Sequence, residues 1–135
     1  MDYVSVKDTD KLLARFKAPI KDDLYAHAYI WGDKISMLDA VAETDSRAFA
    51  LCLVLPQKVD PDTGERAPGQ NKYAELHFIQ GNYGVGRVTH ELMHLVLFLR
   101  EDNLIEDDEE MCTIAGSMAI SFWEQCFEWM SENES

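Results

Sequence analysis

Between Thr89 and Arg100 the chain reads Thr-His-Glu-Leu-Met-His-Leu-Val-Leu-Phe-Leu-Arg, an apolar run broken inside only by two histidines and a glutamate. No other stretch constrains the fold as much, because such a run is hard to place except as a helix packed on a core. His90 and His94 stand four apart, so on an α-helix they project from one face and can reach a single ion. Glu91 follows the first histidine, where the H-E-x-x-H pattern sets a carboxylate beside an attacking water. The stretch is expected to be a zinc-binding helix.

The flanking residues suggest what this helix packs on. Leu24–Trp31 alternates small or aliphatic residues with aromatic ones and predicts a strand covered on both faces. Residues 48–56 form a continuous apolar run of strand length and predict a central strand. Tyr73–Gln80 resumes strand character, and the glycines of residues 81–86 then break the chain just before the motif. Earlier, residues 11–16 suggest a short helix capped by Asp8 or Asp10 and ended by Pro19. Residues 34–46 fit neither period. Residues 57–72, rich in proline, glycine and charge, read as an exposed loop. Beyond Arg100, Glu101-Asp102-Asn103 reads as a solvated turn, and five consecutive acids at 106–110 lead into a second helix, from Met111 to about Met130. Residues 131–135 form a polar tail. The fold class expected is α+β, in one domain spanning residues 1–135. A mostly antiparallel sheet of three to four strands would pack on the motif helix and a long C-terminal helix.

Composition narrows the function classes. A chain of 135 residues with 47% apolar and 27% charged residues suits a single globular core. No stretch is apolar enough to span a bilayer, and residues 1–8 lack the layout of a signal peptide. The three widely spaced cysteines, Cys52, Cys112 and Cys126, do not suggest a disulfide framework, so a cytoplasmic location is expected. A net charge of −13 argues against direct nucleic-acid binding, which needs a basic footprint. Such a surface either keeps the protein soluble or meets a basic protein partner, in the second case even as a mimic of nucleic acid.

Two histidines leave the ion short of a third protein ligand. Stepping about 100° per residue, the apolar stripe of the last helix (Met111, Cys112, Ala115, Met118, Ala119, Phe122, Cys126) centres near Ala119 and Phe122. Extending that helix backwards places Asp108 near the centre line, Glu109 on its edge beside Cys112 and Gly116, and Glu110 towards solvent. Glu109 fits a ligand best, Asp108 second and Glu110 least, with Gly116 letting the two helices approach closely. His77 is a weaker candidate for lining the site and polarising a substrate carbonyl, and Tyr83 and Tyr73 for donating to an oxyanion. Cys112 is better read as a buried free cysteine than as a soft ligand.

The His90-Glu91-Leu92-Met93-His94 motif, followed by a short acidic loop and a glutamate-bearing helix, resembles the gluzincin type of zincin metallopeptidase. More narrowly, residues 73–120 are similar to small bacteriophage-type proteins with the blocks Gly86–His94 and Asp108–Gly116. The resemblance implies zinc held by His90, His94 and Glu109, with Glu91 as the general base.

The expected activity is therefore hydrolysis of a peptide bond in a peptide or protein substrate. Zinc would sit between the two helices and Glu91 would activate the attacking water. Tyr73–Gln80 would be an edge strand beside the site, where a substrate could add as a further strand. The competing expectation is an acidic interaction or inhibitor protein in which zinc is structural or absent.

Overall fold

The computed structural model describes residues 11–41, 48–55, 61–63 and 71–133. Its elements run β1 (Leu12–Lys21), β2 (Leu24–Trp31), α1 (Lys34–Ala40), β3 (Ala50–Val54), β4 (Lys72–Ile79), α2 (Val85–Glu101) and α3 (Asp108–Asn133). The four strands form one sheet in the order β1-β2-β4-β3. β1 and β2 pair antiparallel, as do β3 and β4, while β2 and β4 run parallel. The architecture is α+β, as the sequence suggests.

Strand alternation distributes side chains between two faces. Leu24, Ala26, Ala28 and Ile30 of β2 join Ala74, Leu76 and Phe78 of β4 in a buried cluster with α2 and α3. α2 contributes Val88, Leu92, Leu95, Val96 and Leu99, and α3 contributes Ile114, Met118, Phe122 and Cys126, each set at the spacing of one helix face. Phe122 is the hinge of this core, with its ring against those of Phe16, Phe78 and Trp123. On the other sheet face, Tyr29, Trp31 and Ile79 meet Met37 and Ala40 of α1.

Several expectations are corrected. Residues 12–21 are a strand rather than a helix: Phe16, Ala18 and Ile20 point inward while Arg15, Lys17 and Pro19 point out. This period-two pattern outweighs the local helix signal, and Pro19 is tolerated because β1 is an edge strand. The proposed cap by Asp8 or Asp10 lies outside the described residues. β3 is an edge strand, not a central one. Its apolar run reflects cover on both faces, Cys52 and Val54 on the α2–α3 side and Leu51 on the α1 side. Conversely, β4 is interior and not an edge. Lys72 already belongs to β4, and α3 runs on to Asn133 through the start of the expected tail. Most of the loop expected at 57–72, and residues 42–47, lie outside the described residues.

The helix ends explain the acidic run. Asp107 Oδ1 accepts the Glu110 N–H at 2.8 Å, and Glu110 Oε1 accepts the Glu106 N–H at 2.9 Å. Together they resemble a capping box, satisfying amides at the start of α3. Glu110 also pairs with Lys21 of β1 at 3.2 Å. α2 ends on Asn103 in the left-handed region (φ 58°). The Asn103 N–H bonds to the Arg100 carbonyl and the Leu104 N–H to that of Leu99, the pattern of a Schellman cap. No helix among the described residues is long and apolar enough to cross a membrane.

Candidate metal centre

α2 positions the motif as its sequence implies. The stripe from Val88 to Leu99 is buried, which turns His90 and His94 onto the exposed flank and Glu91 to the margin of the core. The two imidazoles approach with their Nε2 atoms 3.0 Å apart. Ligand atoms of His90, Glu91 and His94 all lie within 4.8 Å of one another, the one such group of histidine, cysteine and acidic residues among the described residues.

Glu91 is the most constrained of the three. It is only 6% exposed, and its Oε2 is buried without a hydrogen-bond partner among the described residues. Burial pushes its carboxyl pKa up, against the opposing pull of His94, His90 and Arg87. Cys52 of β3 senses the same carboxylate: burial first, and then the Glu91 charge, push its thiol up to about 12, so it stays protonated. Glu91 thus faces β3. An open cleft of about 650 Å³ lies on that flank, lined by Phe49, Ala50, Asn82, Arg87, His90 and Glu91 together with glycines of the 81–86 segment.

The group could hold a metal ion, with the two imidazoles and the Glu91 carboxylate as its three protein donors. Tetrahedral coordination with Zn–N bonds of about 2.0–2.1 Å sets ligand atoms about 3.3 Å apart, so the histidine pair needs to open by only a few tenths of an ångström. Two imidazoles beside a buried carboxylate oxygen with no protein partner are also a costly arrangement for a fold to keep without a cation or proton donor.

The other sequence candidates are not brought to this centre. Glu109 is exposed on the first turn of α3 and is not part of the cluster. Its line-mates Cys112 and Gly116 are exposed too, because the buried stripe of α3 runs through Ile114, Met118 and Phe122. A Cβ on Gly116 would meet nothing within 4 Å, so this glycine is not a point of close helix approach. Asp108 is exposed and pairs with Arg100 at 3.4 Å. Glu110, expected in solvent, is the half-buried partner of Lys21. His90 and Glu91 line a cleft shared with Phe49 and Ala50 at the start of β3, and α3 supplies nothing to its wall.

His77 is fully buried among the side chains of the opposite sheet face. Its ring stacks on Tyr29 with centroids 4.7 Å apart. Trp31 Nε1 donates to its Nδ1 at 2.9 Å, and its Nε2 lies 3.2 Å from Glu75 Oε1. Burial pushes its pKa down, partly opposed by the hydrogen bond to Glu75. His77 therefore belongs to a buried network with Tyr29, Trp31, Glu75 and Lys72, not to the metal centre. The Tyr83 hydroxyl turns to the Cys126 thiol, and Tyr73 donates to the Asp102 carboxylate, so neither serves the cleft.

Sequence reasoning missed Phe49 and Arg87, both in the cleft wall. Arg87 could have been found, since it precedes His90 and Glu91 by one helical turn on the same flank. Phe49 could not, because nothing in the sequence sets the start of β3 against α2. Comparison with known protein families, with curated proteins and with solved structures finds no match for the chain.

Proposed function

We propose that the chain is a zinc-dependent hydrolase of peptide bonds, with His90 and His94 holding the ion and Glu91 acting as the general base. The observation that carries this reading is the cluster of His90, Glu91 and His94 with ligand atoms within 4.8 Å of one another, Glu91 buried and its Oε2 without a partner among the described residues, and His90 and Glu91 in the wall of an open cleft. When bound, zinc supplies Lewis-acid polarisation of a carbonyl and lowers the pKa of a water. Glu91 accepts a proton from the attacking water and delivers it to the departing amine. Burial at the core margin suits this role, because it raises the carboxyl's pKa and so its hold on the proton that it takes and returns.

An extended substrate has a platform in β3, which among the described residues pairs with β4 on one side only and begins at the cleft. Main-chain pairing with such an edge is a common way to hold a peptide. The competing acidic-binder reading rests on net charge alone. Asp107, Asp108 and Glu110 of the acidic run are engaged within the chain.

The test is hydrolysis of a quenched fluorescent peptide library by zinc-loaded protein, beside Glu91→Gln. The expected result is turnover in the wild type and none in the variant, with zinc content unchanged. Full activity in Glu91→Gln would end the hydrolase reading, and loss of zinc in it would make Glu91 a ligand instead of the base.

A further inference from the structure

The outer face of α2 carries a second pattern that includes the histidines. His90, His94, Leu97 and Glu101 follow at intervals of four, three and four residues, and all are exposed. That is the spacing of a coiled-coil seam. Met93 and Phe98 flank it, and Met93, Leu97 and Phe98 remain 39%, 45% and 37% exposed. The Phe98 ring lies alongside that of His94, with centroids 6.5 Å apart. Val88, Leu92, Leu95, Val96 and Leu99 are buried on the opposite face, so α2 is apolar on both sides. A helix apolar all round belongs in an interior, and here one side is still open.

The same face is short of a metal ligand. Among the described residues only Glu91 joins the two histidines, and the acids of α3 do not. With Glu91 kept as the base, the ion has two protein ligands where an open zinc site has three. Glu101 lies on the seam, but seven residues beyond His94, a rise of about 10 Å that keeps it from the pair within one chain. A second copy of α2, turned antiparallel about the midpoint between Leu97 and Phe98, brings position 101 of each helix opposite position 94 of the other. Leu97 and Phe98 of both copies then meet at the centre. At each end a metal-holding histidine pair faces a carboxylate, so the seam complements its own reverse in charge as well as in apolar contact.

We propose that two copies of this chain pair antiparallel along α2, Glu101 of each supplying the third ligand to the zinc held by His90 and His94 of the other. The fourth position is left for water, as the hydrolase reading requires. The pairing depends on the metal. Three partly exposed side chains from each copy bury on the order of a few hundred Å², well below the roughly 1,600 Å² of a standard interface. Each copy also carries a net charge of −13, so apolar contact alone does not hold two together. The dimer rests on the reading of His90 and His94 as metal ligands, but not on what is hydrolysed.

Size-exclusion chromatography with light scattering tests it on the full-length chain, first in chelator and then with zinc chloride, with bound zinc measured on the same samples. The expected result is the 15.4 kDa monomer in chelator and twice that mass with zinc, at about one zinc per chain. Glu101→Gln and the double variant His90→Ala/His94→Ala change only exposed positions and should each stay folded and monomeric with zinc. Mixed in equal amounts, these two should recover a dimer that holds a single zinc, because Glu101 of one serves the histidines of the other. Zinc-loaded wild type that stays monomeric would overturn the proposal and leave the metal centre standing. A dimer that survives chelator, Glu101→Gln that dimerises as the wild type does, or a mixture that stays monomeric would overturn it as well. A wild type that binds no zinc would remove the pairing and the metal centre together. A zinc-dependent dimer that cleaves no peptide would keep the pairing and remove only the hydrolase reading.

Discussion

Replacing Glu91 by methionine should make the metal-free protein more stable, although it removes the residue on which the proposed activity depends. The wild type buries one carboxylate oxygen with no partner. An unsatisfied buried acceptor costs about 1–3 kcal/mol. The nearby His94, His90 and Arg87 offset part of this, so the expected gain is about 1–2 kcal/mol. Methionine is close to glutamate in volume and unbranched, so it should enter the same space with little strain. For a chain of this size the gain corresponds to a rise in Tm of roughly 3–7 °C. Urea and thermal unfolding in the presence of chelator, at pH 7, would measure it. A variant less stable than wild type by more than about 1 kcal/mol would refute the reasoning, because it would mean that the native fold satisfies the Glu91 carboxylate.

Further outcomes follow from the core, the buried network and the acidic run. Phe122→Ala removes a ring packed against three other aromatic residues and should cost about 3–5 kcal/mol in urea unfolding. Trp31→Phe leaves the buried His77 Nδ1 without its donor and should cost about 1–3 kcal/mol by the same method. His27 has its pKa lowered to about 4, by burial first and then by Lys72. Because the unfolded chain binds that proton near pH 6.5, stability should fall as pH drops from about 6.5 towards 4. His27→Gln should flatten that slope in pH-dependent melts. Glu109→Ala should leave zinc content unchanged and shift stability by less than about 0.5 kcal/mol, since its side chain is exposed and outside the cluster.

What could be read in the sequence followed from periodicity. β2, β4, α2 and α3 each carry a repeat long enough to declare itself, and the spacing of His90, Glu91 and His94 did place them together. β1 is masked in the sequence because Leu12-Leu13-Ala14-Arg15-Phe16 favours a helix locally, and its alternation shows only when Ala18 and Ile20 are included. The positions of β3 and β4 were exchanged for a physical reason. Apolar faces report the layers above and below a strand, whereas its place in the sheet depends on lateral pairing that hydropathy does not encode. β4 holds the interior despite Glu75 and His77, because these two bond to each other and to Tyr29, Trp31 and Lys72.

Glu109 illustrates a different limit. Back-extrapolating α3 from Ala119 and Phe122 set the stripe too far towards Cys112 and Gly116, whereas the buried line runs through Ile114 and Met118. An error of part of a turn is enough to exchange a ligand for a solvated acid. The acidic run, moreover, had its own use in capping α3 and pairing with Lys21, which residue type alone does not reveal.

The central claim is that His90 and His94 form a metal site. Elemental analysis of purified, untagged protein after zinc loading and desalting tests it most directly, with His90→Ala and His94→Ala beside the wild type. About one zinc per wild-type chain is expected, with that zinc lost in each histidine variant. A wild type that retains no zinc, or zinc that persists when both histidines are replaced, would contradict it.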